Sequence, residues 1–459
     1  MRQKKIIIIG AGPAGLACAH EFIKSNNKEY IIDILEADGY VGGISKTVKL
    51  NGYYFDLGGH RFYSDIPEVN KLWEDTLGND FLNKKRFSRI YYKNRFFNYP
   101  LSIGNVLLKL GFFESCLVLL SYLKRKIFPI KTVLSFEDWV INKFGNRLYD
   151  YFFKVYTKKV WGVEGNRISC EWAMQRIGKL SIRRVFLNSI GLNNGDKTLI
   201  SKFKYPRYGP GMMYEKIAKD IKHSCNVRIF LRTRVINFKK HNTGWKIKYY
   251  KQGREYNSFY DNIVSTMPIT SLIDSLDGVP QEILDINSNL KFRDFLIVCL
   301  VIKQKCGLKD GWIYIHDKDI KMGRLQIFNN WSEDMLVNKN YTSLGCEYFC
   351  CQNDEIWNMS DDDLISLSKM NLEKLKLINT TNIFLAKVIR VKKAYPVYDE
   401  FYKKNFYRIK NYINRISGLQ VVGRGAMFRY NNMDHSIYAG MLAARNICHR
   451  KNYNLWDIK

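Results

Sequence analysis

Residues 4–24, KKIIIIGAGPAGLACAHEFIK, decide the fold. Lys4–Ile9 is a short β-branched run, which is typical of a strand buried on both faces of a parallel sheet. It leads directly into the glycine-rich loop Gly10–Gly15, and an alanine-rich helical stretch follows from Leu16 to about Lys24. Strand, glycine loop and helix in this order predict a Rossmann-type dinucleotide-binding unit.

Each glycine of the loop has a separate physical role. Gly10 permits the tight turn, Gly12 lets the backbone approach a pyrophosphate, and Gly15 lets helix and strand pack closely. A second apolar strand, Tyr30–Leu35, ends in Glu36, about 20 residues beyond Gly15, where an acid accepts hydrogen bonds from a ribose. A glutamate there argues against a 2′-phosphate. The residues predicted to bind the cofactor in this unit are Gly10, Gly12, Pro13, Ala14, Gly15, Glu36 and Ala37.

Two further glycine pairs and the C-terminal segment extend this site. Gly42-Gly43 follows the ribose acid, Gly58-Gly59 lies within GYYFDLGGHRFY (52–63), and Gly423-Arg424-Gly425 separates a strand at 419–422 from a helix predicted over 431–447. These segments resemble the family that includes amine oxidases, protoporphyrinogen oxidase and UDP-galactopyranose mutase. The resemblance implies that they wrap an FAD cofactor, and that the last helix N-terminus stabilises an anionic reduced flavin. The residues so implied are Gly42, Gly43, Gly58, Gly59, His60, Gly423, Arg424, Asn432, Met433, Asp434 and Ser436.

The predicted fold class is α/β, or α+β overall, with a Rossmann-type FAD-binding domain assembled from discontinuous segments. Residues 1–66, 205–272 and 418–459 form that domain. Residues 67–204 form a mainly helical substrate or cap domain, and residues 273–417 form an antiparallel-sheet substrate domain. We expect the substrate in a cleft at the domain interface, where ligand sites usually form.

The middle of the chain supports this division. Helices are predicted over Ser135–Arg147 and Tyr149–Lys159, and strands over Asp294–Lys303 and Arg324–Asn329. The strand that begins at Arg324 would carry this arginine on a sheet below the flavin.

Seven segments along nearly the whole chain are similar to UDP-galactopyranose mutases, above all to the longer eukaryotic type. They are GGHRFYS (58–64), FFNYPL (96–101), FEDWV (136–140), KVWGVEGNRISCEWAMQRI (159–177), YPRYGPGMM (205–213), VSTMP (264–268) and GRGAMFRYNNMDHS (423–436). Their order and spacing together make the resemblance specific.

The resemblance implies roles for single residues. His60 packs beside the flavin, and Arg176 and Arg324 grip the substrate diphosphate, because each guanidinium can bind it through two parallel hydrogen bonds. The other residues implied to contact substrate are Tyr99, Trp312, Tyr314, Tyr395 and Tyr430. Ser102 departs from the family pattern, which has a glutamine there that contacts uracil, so the nucleobase is left open.

Two functions are consistent with this scaffold. The first is a nucleotide-sugar pyranose/furanose mutase of surface polysaccharide biosynthesis. There, the resemblance implies, N5 of the reduced flavin attacks the anomeric carbon. The reductant is left open, with NAD(P)H as one external candidate. The second is an FAD-dependent oxidoreductase of the amine oxidase or protoporphyrinogen oxidase type. Its site would be lined by aromatic side chains and would lack convergent arginines, since an unpaired buried cation is costly beside an apolar substrate.

The amino-acid composition indicates which kinds of partner and which compartment to expect. The formal net charge of +30 favours polyanionic partners, but the basic residues are spread along the chain without the compact stripe of a nucleic-acid binder. The ten cysteines show no paired CxxC spacing, so neither a zinc site nor a disulfide framework is predicted, and a reducing compartment such as the cytoplasm is expected.

One apolar stretch raises the question of a membrane. Ile103–Leu123 is interrupted by Lys109 and Glu114, so it predicts an amphipathic or buried helix rather than a membrane span. Lys124-Arg125-Lys126 follows it, which leaves peripheral contact with an anionic membrane, at its inner face, as an alternative.

Overall fold

A computed structural model describes residues 3–25, 29–101, 103–170, 202–305 and 307–458. The strands, in chain order, are β1 Lys4–Ile9, β2 Tyr30–Leu35, β3 Thr47–Leu50, β4 Tyr53–Asp56, β5 Phe81–Lys85, β6 Ser88–Tyr92, β7 Arg95–Asn98, β8 Lys202–Pro206, β9 Val227–Phe230, β10 Thr233–His241, β11 Gly244–Lys251, β12 Arg254–Tyr260, β13 Asn262–Ser265, β14 Phe292–Ile302, β15 Trp312–Ile315, β16 Arg324–Ile327, β17 Thr342–Cys350, β18 Ile383–Pro396 and β19 Leu419–Val421. The α-helices are α1 Pro13–Lys24, α2 Pro67–Leu77, α3 Ile103–Leu110, α4 Phe112–Ile127, α5 Phe136–Phe144, α6 Asn146–Tyr149, α7 Val155–Trp161, α8 Gly211–Lys222, α9 Ile269–Ser275, α10 Gln281–Asn289, α11 Glu355–Asn358, α12 Asp361–Leu375, α13 Glu400–Asn414 and α14 Met433–Cys448.

A five-stranded parallel sheet forms the dinucleotide-binding unit, with strand order β19-β13-β1-β2-β9. Its central strand β1 is buried at Ile6–Ile9, as a strand covered on both faces must be. The sheet joins strands from the first 35 residues, the middle and the last 45 residues of the chain. The predicted Rossmann-type domain built from discontinuous segments is therefore confirmed.

Helices α1 and α14 cross at backbone contact beside this sheet. A Cβ atom placed on Gly440 would lie 2.1 Å from the carbonyl oxygen of Ala14 and 3.1 Å from the backbone nitrogen of Cys18. Such an approach is open only to glycine, so Gly440 lets the two ends of the chain pack on each other.

A seven-stranded sheet forms the second layer, with strand order β18-β14-β17-β16-β15-β6-β7. Its pairs are antiparallel except β15–β6, which is parallel. Strands β6 and β7 lie in the segment that the sequence predicted to be mainly helical, and the sheet is not wholly antiparallel. Sequence reasoning missed these strands because both are short, and β6 pairs with β15, more than 200 residues later in the chain, while β7 pairs with β6.

The edges of the predicted helical unit also differ. Helix α2 contributes Val69, Leu72 and Trp73 to the core of the dinucleotide-binding unit instead of to a separate cap. Strand β8 crosses the predicted boundary at 204/205, because it pairs with β5.

Glycines divide the predicted helices. The stretch from Ile103 forms two helices, α3 and α4, because Gly111 has a φ of +90°. Gly145, with a φ of +85°, likewise separates α5 from α6, and residues 150–154 form a π-helical turn before α7. Among the described residues, no helix is both long and apolar enough to cross a membrane.

The Gly440 contact yields a stability prediction. Gly440→Ala should lower the free energy of unfolding by about 1–3 kcal/mol, because the added methyl group forces α14 away from α1. Chemical denaturation measures this change. Gly104→Ala in α3 is the matched control: a Cβ there meets nothing within 4 Å, so stability should be unchanged or slightly raised. Equal effects of the two substitutions would contradict the tight crossing.

Candidate active site

A cavity of about 480 Å³ opens at the carboxyl ends of the parallel strands. This is the edge of an open α/β sheet at which ligands bind. The predicted cofactor-binding residues that line it are Gly10, Gly12, Pro13, Ala14, Glu36, Ala37, Gly43, Gly423, Arg424, Asn432, Met433 and Ser436.

The glycine loop forms one wall of this cavity at backbone distance. Gly10 has a φ of +97°, and a Cβ on Gly15 would lie 1.9 Å from the Gly10 carbonyl oxygen, so Gly15 is needed for packing behind the wall. A Cβ on Gly12 would point toward Gly43, 3.7 Å from its Cα, and would fill the space between the two segments. Because no side chain caps the N-terminus of α1 at Gly12, its first N–H groups can bind phosphate.

Glu36 is held at the end of β2 by two backbone donors. The N–H of Ala11 donates to its carboxylate at 2.7 Å and the N–H of Asp38 at 2.8 Å. Burial raises the pKa of Glu36, and both N–H groups oppose that rise. Glu36 also lines the cavity, which puts its carboxylate within reach of a ribose there. The residues present therefore fit a dinucleotide with its pyrophosphate at α1.

The other predicted cofactor residues lie outside this cavity. Gly42 has a φ of +100° and supports the loop from behind, where its N–H donates to the carbonyl of Ala11 at 2.8 Å. Asp434 is buried in the first turn of α14, with its Oδ1 3.4 Å from His435. Gly58, Gly59 and His60 lie beside the seven-stranded sheet instead.

Three wall segments were not predicted to bind the cofactor, although one of them lies in the family-like segment VSTMP (264–268). They are residues 233–235 in β10, 266–268 after β13, and 389–394 in β18. Thr266 carries the one signal that could have been used, because it directly follows a parallel strand at the edge where ligands bind. Strand β18 carries no such signal, because it belongs to the other sheet.

A buried polar cluster lies where the Gly58–Gly59 turn meets that sheet. Arg324 and Glu347 are directly opposite each other on β16 and β17, with 2.5 Å between Nε and the carboxylate. Gln326 donates to the second carboxylate oxygen at 2.8 Å. Glu347 and Gln326 are fully buried and were not predicted from the sequence. The alternation Arg-x-Gln puts the side chains of Arg324 and Gln326 on one face of β16, so it could have indicated Gln326.

The carboxylate of Glu347 offsets part of the charge of Arg324, and the terminal nitrogens of Arg324 remain available to a ligand. Burial alone would lower its pKa, but the Glu347 carboxylate raises it, so the guanidinium stays charged. Its two terminal nitrogens have no hydrogen-bond partner among the described residues. They face the Gly58–Gly59 turn, where Cβ atoms would lie 3.6 and 3.8 Å away from them. A forked donor directed at a glycine turn can bind an anion that lies between them.

His60 faces the same space as a neutral side chain. Burial, together with the guanidinium groups of Arg424 and Arg324, lowers its pKa to about 3. Its Nδ1 is buried and has no hydrogen-bond partner among the described residues. A ligand polar atom is the natural partner for it, since buried polar groups are normally hydrogen-bonded.

Two aromatic groups flank Arg324. On one side, Tyr314 is directly opposite Arg324 on β15, and its ring centroid lies 4.7 Å from Tyr99 and 6.4 Å from Trp312. Arg86 lies over Tyr99 at 4.9 Å, and the Tyr314 hydroxyl, followed by burial, raises the pKa of Tyr99 to about 12.

On the other side, Tyr395 and Tyr430 stack with centroids 5.6 Å apart and planes at 14°. Arg424 covers Tyr430 at 4.7 Å, and its Nε donates to the carbonyl of Asn431 at 2.8 Å. Phe349 connects this pair to the cluster, because it lies 5.9 Å from Tyr395 and 6.0 Å from the Arg324 guanidinium. The five predicted substrate residues thus surround Arg324 from both sides.

Two predictions cannot be located. Arg176, the second predicted diphosphate ligand, and Ser102, at the predicted nucleobase position, lie outside the described residues.

Comparison with known proteins agrees with this arrangement. A model of the NAD(P)-binding Rossmann-like domain family matches residues 8–76. A crystal structure of reduced UDP-galactopyranose mutase superposes with a TM-score of 0.84 at 20% identity, covering 98% of this chain and 96% of that one. The two structures therefore share one fold over nearly their whole lengths.

Two sequence relatives are named as an oxidase and a desaturase instead. Protoporphyrinogen oxidase 2 (chloroplastic/mitochondrial) of Arabidopsis thaliana is 22% identical over 96% of this chain and 93% of that protein. The 1-hydroxycarotenoid 3,4-desaturase of Flavobacterium sp. (strain P99-3) is 32% identical over 111 residues, which are 23% of this chain and only 22% of the desaturase.

The neutral His60 yields a pH prediction. Its pKa is lowered in the folded state, so the stability it contributes is fully present above pH 6.5 and is lost as the pH falls toward 3. Wild type should therefore lose more free energy of unfolding than His60→Gln between pH 7 and 5. The difference should be less than about 1.4 kcal/mol per pH unit, because the imidazole of the unfolded chain, with a pKa near 6.5, is only partly protonated over much of this range. Denaturant titrations of both proteins across this range measure it, and parallel curves would contradict a neutral His60.

Proposed function

We propose that the dinucleotide held in the cavity is FAD. Two observations support this. The cavity is walled by the glycine loop at one side and by the N-terminus of α14 at the other, so the dinucleotide is enclosed from both ends of the chain. The Gly58–His60 turn directly follows Leu57, which lines the cavity, and it faces Arg324, so a ring system at this end would have polar groups beside it.

We further propose that the protein is a nucleotide-sugar pyranose/furanose mutase. The observation that carries this proposal is Arg324, whose charged, forked terminal nitrogens face the glycine turn among five tyrosine and tryptophan side chains. A diphosphate matches this donor set, because a guanidinium binds two of its oxygens at once. An apolar substrate would leave the cation without a partner there, which is costly.

The chain's own residues orient the substrate and balance its charge. Reduced FAD, when bound, would supply the nucleophile for the anomeric carbon. Arg324 would hold the departing diphosphate in place and offset its negative charge, so that it can return to the sugar. Glu347, itself held by Gln326, would fix the orientation of the guanidinium plane. Arg176 is proposed as the second diphosphate ligand, from the resemblance of its segment alone.

An FAD-dependent oxidoreductase is the second candidate. The relatives found by sequence are named as an oxidase and a desaturase, and aromatic side chains lie on both sides of Arg324. In this function the Arg324–Glu347 pair would be purely structural, and no anionic substrate group would be required.

One experiment separates the two functions. The purified protein is checked for the absorbance of bound flavin, reduced chemically without oxygen, and titrated with nucleoside diphosphates and nucleotide sugars. The mutase proposal expects diphosphate binding and a changed ring size in the recovered sugar, without net oxidation. Absence of diphosphate binding, with air reoxidation coupled to hydrogen loss from an amine or an apolar substrate, would establish the oxidoreductase instead.

The role of Arg324 yields a further prediction. Arg324→Lys keeps a positive charge beside Glu347 but loses the fork of donors, so FAD should remain bound while turnover falls. We expect a loss of about 2–4 kcal/mol in transition-state stabilisation, roughly 30- to 1,000-fold in kcat/KM. Arg176→Ala should act in the same direction.

A matched substitution controls for the general effect of replacing an arginine. Arg207 forms ion pairs with Asp80 at 2.9 Å and Asp334 at 2.8 Å. Arg207→Lys should leave turnover close to that of wild type. If Arg324→Lys does the same, Arg324 does not bind the diphosphate.

A further inference from the structure

Helix α4 presents its apolar side chains to solvent. Phe112 is 79% exposed and Phe113 is 83% exposed, and the exposed residues recur at helical spacing along one face. The apolar members of this face are Phe112, Phe113, Leu117, Leu119, Leu120, Leu123 and Ile127. A helix that merely covers a soluble core would bury these side chains.

The opposite, inward face of α4 is held by polar contacts. Glu114 accepts hydrogen bonds from Arg147 at 2.9 Å and from the hydroxyl of Tyr151 at 2.5 Å. Arg125 donates to Asn146 at 2.8 Å. Within α4, which is described throughout, Val118 is the one buried residue. The orientation of the helix is therefore fixed with its polar face toward the protein.

Backbone contact fixes the same orientation. A Cβ on Gly145 would lie 2.9 Å from the backbone nitrogen of Tyr122, so α4 packs closely against the turn between α5 and α6. The helix cannot rotate to bury its apolar face without losing this contact and the Glu114–Arg147 ion pair.

The apolar surface continues beyond α4 and has a basic border. Leu108 in α3 is 85% exposed, and Phe128 and Leu134 after α4 are exposed as well. Residues 101–134 contain five basic side chains and a single acid, Glu114, whose carboxylate is engaged on the inward side. Arg125 is bonded to Asn146 on the inward side, so the basic border consists of Lys109, Lys124, Lys126 and Lys131.

We propose that this face, residues 103–134, docks flat on an anionic lipid surface. Apolar side chains between lysines are the chemistry of an interfacial helix, which buries the former at the acyl boundary and pairs the latter with lipid headgroups. At 16 residues, α4 is about 24 Å long, which suits a helix lying in the interface. A second copy fits less well, because a two-fold contact would place one basic border against another.

Docking there would bring the candidate active site to the membrane. Val106 of α3 packs with Phe97 and Phe152 in one cluster, and Tyr99 and Tyr314 lie at the border of this cluster. The proposal does not depend on the mutase function, since it concerns only this surface.

The test is co-sedimentation of the full chain with vesicles. One set contains phosphatidylcholine alone, and the other contains one-third phosphatidylglycerol. We expect binding to the anionic vesicles that weakens as salt is added. Lys124→Gln/Lys126→Gln should weaken it by about 30-fold, because each basic side chain near the surface contributes about five-fold in affinity.

A second variant tests the apolar side chains. Phe113→Ser/Leu120→Ser should weaken vesicle binding at least about ten-fold, since both side chains leave the acyl boundary. Both are exposed, so the fold should be retained, which circular dichroism checks. Phe259→Ser on β12 is the matched control, because Phe259 is also exposed but lies in the three-stranded sheet β10-β11-β12, outside residues 103–134.

Three outcomes would overturn the proposal. One is absence of binding to either vesicle. The second is equal binding to both vesicles, which would remove the role of lipid charge. The third is a stable dimer in size-exclusion chromatography that dissociates in Phe113→Ser/Leu120→Ser, which would identify this face as a contact between copies of the chain.

Discussion

The backbone contact between α1 and α14 is the constraint on which the rest of the molecule depends. It brings the first helix and the last helix of the chain together at Gly440, where no other side chain fits. Both helices then point their N-termini at one cavity, so the two walls come from opposite ends of the sequence. A shift of α14 would move Arg424 and Asn432 away from the glycine loop and open the cavity on that side.

The buried Arg324–Glu347 pair has a comparable role in the second layer. Taking two charges out of water is expensive, so such a pair contributes little net stability. Its value lies in position: β16 and β17 hold both side chains opposite each other, and Gln326 satisfies the remaining carboxylate oxygen. The result is a cation whose direction is fixed before any ligand arrives, and fixed donors lose less entropy when they bind.

Local patterns predicted the dinucleotide-binding unit because each of its elements can be recognised from a few consecutive residues. The β-branched run, the glycine loop and Glu36 needed no information from the rest of the chain. The pairings across the seven-stranded sheet could not be predicted in this way. Glu347 is distant in sequence from Arg324, and β6 from β15, and no local signal indicates such pairings. Amphipathicity of α4 was visible as well, but periodicity cannot tell which face of a helix turns inward. Contacts from Arg147 and Asn146 decide that, and these come from another helix.

The crossing of α1 and α14 also has a consequence for biosynthesis. About 430 residues separate Ala14 from Gly440, and at 5–20 residues per second a ribosome needs roughly 20 to 90 seconds to translate them. During that interval β1 cannot pair with β13 until β13 has been translated, and α14 is translated last. The isoleucines of β1 therefore stay uncovered on the nascent chain. A prematurely terminated product would keep these isoleucines uncovered. Quality-control proteases would therefore degrade it even if its seven-stranded sheet had folded.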